Sequence, residues 1–479
     1  MKYGSPASSI EGCLLKKIFG VLAFIALLTV PVSAEAARLD PSFGQGGVTT
    51  FEPEGGRAAS AQRLVESPGG KLLTEGWGAV TRFKSDGSPD LGFGSGGTVF
   101  LSDLPSWDKL GSTDSPSALA VTLESEPVLA GTAYYPSGND NHTGQCAFLT
   151  RLTAYGDLDP SFAEEGRRKQ CLHKPPKRED GRANGLAMRV IHGDGLKATV
   201  GLSPSSIDLT GRGEIVVGGT ALRNWSDTGA FIAKFNSDGT LDRSFTGGPG
   251  SRSGERGIAE VRRSRYTSGN TSVVRSLRHG KVLAAGTIKG EQFVVRLLRN
   301  GRLDPSFGRK GYVVLRGILH PGESRNSEII DIAFDRRGRI VAAGSLYANN
   351  PNSYVPFVLR LDRDGRLDRT FGNGGVSWPN LGRNFRSAAI AIQRNGRAVV
   401  VGEAKRRWRV PINNESGLGI FRLTANGILD PTFFDDGQFG DDRRRFGGGY
   451  GDLIIDRRGR IVAAGGRGPV RLIRILPGK

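Results

Sequence analysis

Beyond residue 38 the apolar residues of this chain come in short runs, rarely longer than six, bounded by Asp-Gly, Asn-Gly or Gly-Gly pairs. That punctuation belongs to β-hairpins, and no stretch keeps a 3.6-residue period over three helical turns. The pattern therefore predicts an all-β protein. The runs also repeat, which takes precedence over any local assignment. An LDxSF-type segment occurs seven times: Leu39–Phe43, Leu158–Phe162, Leu241–Phe245, Leu303–Phe307, Leu367–Phe371, Leu429–Phe433 and, in irregular form, Pro89–Phe93. A second signature, a turn followed by a β-rich run and Gly, also occurs seven times, as in GGKLLTEG, HGKVLAAG and RGRIVAAG.

Residues 327–378 show the unit most clearly. SEIIDIAF, RIVAAGS, VPFVLRL and GGVSW read as four strands, a to d, with the tight turn DRRG between a and b and DRDGRLDRTFGN between c and d. Short connections of this kind build antiparallel blades. The last unit supplies a, b and c and stops at Lys479, whereas the chain past Ala36 opens with a c-to-d turn and strand d (LDPSFGQGGVTTF). A seven-bladed β-propeller is expected, with the N-terminal strand completing the C-terminal blade and removing the exposed edges of an open sheet. Strand a is expected innermost.

These repeated units, with their G-x-L-D-x-S-F-G ending, resemble the delta-60 repeat proteins, a bacterial exported family, over essentially the whole chain past residue 36. The resemblance implies a propeller-like fold and an extracytoplasmic location, and it implies no established activity.

Residues 1–36 read as an export signal rather than structure. Lys16 and Lys17 precede the apolar run Ile18–Val32, and Ala34-Glu35-Ala36 offers a small-x-small cleavage site. About fifteen apolar residues broken by Pro31 fall short of the roughly 20 that span a bilayer. Residues 37–479 are then a single propeller, secreted or in the cell envelope, with no transmembrane segment after cleavage. The formal charge of +19 becomes +18 when Lys2, Lys16, Lys17, Glu11 and Glu35 leave. Such an excess favours polyanions, and in an exported chain anionic envelope polymers rather than nucleic acid.

Asp40, Asp159, Asp242, Asp304, Asp368 and Asp430, with Asp90 in the irregular copy, are read as turn residues that accept backbone N–H bonds, not as catalysts. The Phe three residues on is suited to fill the gap between blades. A basic residue repeats on strand c (Arg82, Arg151, Lys234, Arg296, Arg360, Arg422) and is expected to pair with a turn carboxylate or lie along the surface. The run Asp362–Asp368 has Asp at alternate positions, but Arg366 occupies a ligand position, so it reads as a plain Asp-Gly turn and no metal is expected. Cys146 and Cys171 are the two cysteines left after signal removal. On strands c and d of the second unit, in an oxidising setting, they are expected to form a cross-strand disulfide, with buried thiols or a metal pair as alternatives.

Function is expected on the connections that vary in length, 133–145, 172–202, 246–270, 346–354 and 404–416, because binding sites are carried by loops on a rigid scaffold. All leave from one face. Basic and aromatic residues collect there: Lys405, Arg406, Arg407, Trp408 and Arg409; Arg443, Arg444 and Arg445; and Trp225. Arg forks bind carboxylate or phosphate and rings stack on sugars. The expected function is a binding module for anionic glycans or other envelope polyanions, without enzymatic activity and without cofactor. The five His are scattered and no paired-carboxylate or Ser-His-Asp set declares itself. A protein–protein scaffold in the envelope and a propeller enzyme of lyase, glycosidase or dehydrogenase type remain the alternatives.

Overall fold

In the computed structural model the described residues are 37–104, 116–136, 143–162, 186–189, 201–222, 228–247, 256–261, 268–315, 327–348, 353–382, 384–405, 416–434, 436–440, 451–466 and 469–478. They form seven antiparallel sheets in chain order, the seven blades of a propeller. The all-β expectation holds, and the only helical turns among the described residues are short 3-10 turns. No helix among them is long and apolar enough to cross a membrane. The expected signal, residues 1–36, lies outside the described residues.

Blades 1 to 6 start at Arg63, Pro116, Gly201, Gly269, Ser327 and Asn384. Blade 7 takes strands a, b and c from the C-terminus (Asp452–Ile455, Ile461–Gly465, Val470–Leu476) and its outer strand from the N-terminus. Val48–Phe51 pairs antiparallel with Val470–Ile473, and Arg38–Leu39 pairs with Ile475–Leu476.

Strand b sits between neighbouring blades, so both its faces are covered and it reads as a continuous apolar run. In Leu72–Gly76 and Ile461–Gly465 every residue is buried. Strand a alternates instead, and strands a from all seven blades line a central cavity of about 1240 Å³. In blades 2 to 6 this inner strand carries a β-bulge at the same register. The bulge explains the Gly that ends each RIVAAG-type run. A Cβ on Gly344 would meet the Glu328 carbonyl oxygen at 2.1 Å, so only glycine lets the inner strand approach.

The blades are joined by a repeated side-chain staple. In six of the seven copies the Asp of the LDxSF turn accepts, through Oδ1, the backbone N–H and hydroxyl of the Ser or Thr two residues on, at 2.5–3.1 Å; the irregular copy has Gly92 there. The Asp Oδ2 accepts the Nε of the strand-c arginine eight residues earlier. Arg82, Arg151, Arg296, Arg360 and Arg422 bind in this way at 2.6–2.8 Å. The copy in blade 7 joins Arg474 to Asp40 at 2.7 Å, across the two ends of the chain.

Each guanidinium also lies over the following Phe ring, at 4.4–4.8 Å in six blades. Its Nη1 donates to a carbonyl of the next blade's turn: Arg151 to Ser237 at 3.0 Å, Arg296 to Arg363 and Arg360 to Ala425 at 2.6 Å, with Arg82, Arg422 and Arg474 reaching Ala154, Pro477 and Ser85. The Phe then packs on the glycine of that turn. A Cβ on Gly365 would stand 2.9 Å from the Phe307 ring, and its φ of +83° suits glycine as well.

Blade 3 departs from this scheme. Lys234 replaces arginine, and its buried Nζ is held by Glu214 at 3.0 Å and Asp242 at 3.1 Å. It reaches no carbonyl of blade 4, and a cleft of about 350 Å³ lies between Ser244 and the Leu298–Asn300 turn. Lys234→Arg is expected to restore the bond to the Arg299 carbonyl and the cation over Phe245, adding about 1 kcal/mol; an unchanged or lower urea midpoint would show that the cleft is not a missing staple. Arg474→Ala, which leaves Asp40 with only the more distant Arg460, is expected to cost about 3 kcal/mol in the same measurement, and a loss below about 1 kcal/mol would reduce the pair to a surface contact.

Candidate functional site

The central channel, rather than the loops, is where the described residues bring charged groups together. Aligning the blades on the Gly of strand b puts one rung of strand a at the same height in each: Arg63, Ala118, Ser206, Val273, Asp331, Ala389 and Asp452. In blades 3, 5 and 7 the rung residue accepts the amide that follows the rung in the next blade. Ser206 Oγ accepts from Val274 at 3.1 Å, Asp331 Oδ2 from Ile390 at 2.9 Å and Asp452 Oδ2 from Leu64 at 2.8 Å. Strand a is a sheet edge, and these side chains satisfy its outward N–H groups.

Three arginines enter the same channel. Arg63 donates from Nε to the Ser117 carbonyl at 2.9 Å and from Nη2 to the Ser205 carbonyl at 3.3 Å, spanning blades 1 to 3. Arg275 binds the Ile332 carbonyl at 3.0 Å and the Asp331 carboxylate. Arg386 binds Glu328 Oε1 at 3.1 Å and lies over the Tyr354 ring at 5.2 Å, which connects the channel wall to the projecting b–c hairpin of blade 5. Tyr354 also meets Tyr347 edge-on at 5.4 Å. Two half-exposed tryptophans, Trp77 in the b–c turn of blade 1 and Trp378 at the end of strand d of blade 5, belong to this face.

Burial in the channel wall pushes the Asp452 carboxyl up to about 6; Arg63 opposes the shift and the charge of Asp331 adds to it. Beside the channel, Glu75 stands opposite Arg63 on strand b of blade 1, where other blades have a small or apolar residue. It is fully buried with no hydrogen-bond partner for either oxygen, and burial pushes its carboxyl up to about 8 against the opposing charge of Arg63. The staple aspartates behave oppositely. Burial disfavours the charge on Asp304, yet hydrogen bonds from Lys281, Ser306 and Arg296 hold its carboxyl well below the usual range.

The residues singled out from sequence are placed as follows. The LDxSF aspartates are the carboxylates of the interblade staple. Asp362 Oδ1 accepts the amides of Asp364 at 2.9 Å and Arg366 at 2.8 Å, an Asp-Gly turn. Lys405 ends strand b of blade 6, its backbone paired with Asn384, while Arg406, Arg407, Trp408, Arg409, Trp225, Arg443, Arg444 and Arg445 lie outside the described residues. So does Cys171. The outer strand of blade 2 among the described residues is Leu186–Arg189, which pairs with Ala147–Thr150, and not the expected segment at Cys171. Connections 133–145 and 346–354 are largely hairpin arms, not loops.

The channel residues were missed because each looks ordinary in its own strand. Their signal was available: with seven copies aligned, Arg63, Glu75, Asp331 and Asp452 are charged where sister blades are mostly small or apolar.

Four stretches, residues 213–245, 280–307, 338–371 and 393–433, match the family described as "Domain of unknown function (DUF5122) beta-propeller". Over these stretches the chain is similar to that β-propeller family. No curated protein matches it. Among solved structures it is similar to an ulvan lyase of a polysaccharide lyase family (10% identity, 89% of this chain and 96% of that one, TM-score 0.45). It is also similar to Drosophila Semaphorin 2a (9%, 90% and 75%, 0.46) and to an α-L-arabinanase of Penicillium chrysogenum (10%, 74% and 91%, 0.41). The expectation of a non-enzymatic protein is overturned here, since two of these three are enzymes; likenesses this distant transfer no activity to the chain.

The sign of the Glu75 shift gives a test. A raised carboxyl contributes its full stabilisation below about pH 4.5 and loses it as pH rises towards about 8. Glu75→Gln is therefore expected to match the parent at pH 5 and exceed it in thermal midpoint at pH 8. A difference that does not grow with pH would mean that Glu75 is ionised and paired in the fold.

Proposed function

We propose that the protein is an exported propeller that binds an acidic carbohydrate in its central channel, entered from the face that bears the variable connections. The observation that carries this reading is the channel mouth: Arg386 stacked on Tyr354 beside Glu328, above a cavity of about 1240 Å³ with both guanidinium and carboxylate groups in its wall. Sugars need donors and acceptors together with a ring to stack on, and an arginine adds preference for a uronate or sulfate. The export signal expected at residues 1–36 supports an extracytoplasmic ligand, and the N-terminal residue of the secreted protein would locate the cleavage.

One observation favours a second reading, catalysis on the same ligand. Burial, with the charge of Asp331 adding to it, raises the Asp452 carboxyl to about 6, a value suited to a general acid near neutral pH.

Calorimetry with uronate-containing oligosaccharides tests both. Tyr354→Ala and Arg386→Ala are each expected to weaken binding about tenfold, the loss of one stacking or charged contact. Asp452→Asn is expected to keep binding and abolish any turnover. If no acidic or neutral oligosaccharide binds the parent, or if the two mouth variants bind as it does, the channel is not the site.

A further inference from the structure

The face opposite the channel mouth, made by the a–b and c–d turns, carries its charge very unevenly. Two residues before the left-handed glycine of the a–b turn stand Arg278, Arg336, Arg394 and Arg457, in blades 4, 5, 6 and 7. All four are exposed. The same position holds Pro68, Leu123 and Gly211 in blades 1, 2 and 3. Further exposed arginines reinforce the row: Arg337 and Arg458 on the same turns, and Arg299, Arg302, Arg363 and Arg366 on the c–d turns of blades 4 and 5. On these turns of blades 4 to 7 the exposed acids among the described residues are Asp364 and Asp436. The turns of blades 1 to 3 instead expose Asp86, Glu124, Asp157 and Asp238 in balance with Lys84, Arg212, Arg243 and Arg256.

These arginines are additional to those of the staple, whose guanidinium groups are consumed between blades. Between blades 6 and 7 the turns of the row touch, since Arg394 Nη2 donates to the Arg457 carbonyl of the next blade at 3.3 Å. Turns repeated once per blade on a rigid ring hold the charges at a regular interval along an arc. Among the described residues the exposed cations on these turns are arginines apart from Lys310, and arginine binds carboxylate, sulfate or phosphate through a planar fork.

We propose that this arc over blades 4 to 7 is a track for a linear polyanion, specifically an acidic polysaccharide strand lying along the turns. The segregation of charge decides between a strand and a flat anionic membrane. A membrane pressed on this face would also meet the four exposed acids of blades 1 to 3, whereas a strand follows the basic arc and avoids them. The site is on the opposite face from the channel and does not depend on the channel reading.

Binding of polygalacturonate to the full secreted chain, followed at 50 mM and 300 mM salt, tests it. The parent is expected to bind at low salt and to weaken steeply as salt rises, as counterions are released. Arg278→Gln, Arg336→Gln, Arg394→Gln and Arg457→Gln combined are expected to weaken low-salt binding at least tenfold and to flatten the salt dependence. Removing as much charge outside the arc, with Lys84→Gln, Arg212→Gln, Arg243→Gln and Lys289→Gln, is expected to change binding less than twofold, and the loss in the arc variant is expected to be the same in an Arg386→Ala background, where the channel contact is already weakened. Should the fourfold variant melt early, the pair Arg336→Gln and Arg394→Gln replaces it with a smaller loss expected. No binding by the parent, equal losses in the two charge-removal sets, or binding to vesicles rich in anionic phospholipid with no binding to polygalacturonate would each overturn the proposal.

Discussion

Six of the seven junctions between blades depend on a guanidinium that meets three demands together. It neutralises the buried carboxylate of its own LDxSF turn, caps the aromatic ring that fills the gap, and donates to a carbonyl of the neighbouring blade. A buried carboxylate without such a partner is costly, and a buried cation equally so. The pair is tolerated because hydrogen bonds from the Ser or Thr and from the turn amide complete the set around Asp Oδ1, and the arginine's remaining N–H groups find acceptors. The Arg474–Asp40 copy is the same device used to join the two ends of the chain.

Closure on these staples releases the inner edge from structural duty. Six of the seven rings of contact between neighbours are made at the bottom of the blades by arginine and phenylalanine, so the inner strands need not carry large apolar side chains to hold the ring together. They bulge and alternate, and their rung positions can be polar. The edge N–H groups that an inner strand leaves open are met by Ser206, Asp331 and Asp452 from the preceding blade. Blade 1 breaks the alternation with Arg63 and compensates poorly, since Glu75 opposite is buried without a hydrogen bond. A buried group left unsatisfied in an otherwise well-bonded fold is a departure that structural need does not account for.

The two faces therefore differ in how they use charge. On the turn face six arginines are internal, holding blades together, and others are displayed along one arc. On the opposite face guanidinium and carboxylate groups are mixed and sit beside tyrosine. Both faces are built on the same repeat, and what separates them is which positions of the repeat are free of the staple.

The repeat itself was legible from the chain. LDxSF turns, the Gly-terminated apolar run of strand b and the split last blade appear as local patterns, because each is dictated by contacts that recur in every copy: a Cβ on Gly344 would strike the inner strand, and a Cβ on Gly365 would strike Phe307. The strand-c basic residue was visible too, but its reach into the next blade was not, since Arg360 and Ala425 are 65 residues apart in sequence. The channel belongs wholly to the tertiary structure. Arg63, Asp331 and Asp452 lie in three separate repeats and share a cavity only because closure of the ring sets seven inner strands around one axis. Sequence by itself determined the unit and how often it recurs; closure decided which of its side chains meet, because a ring brings together residues that no local pattern relates.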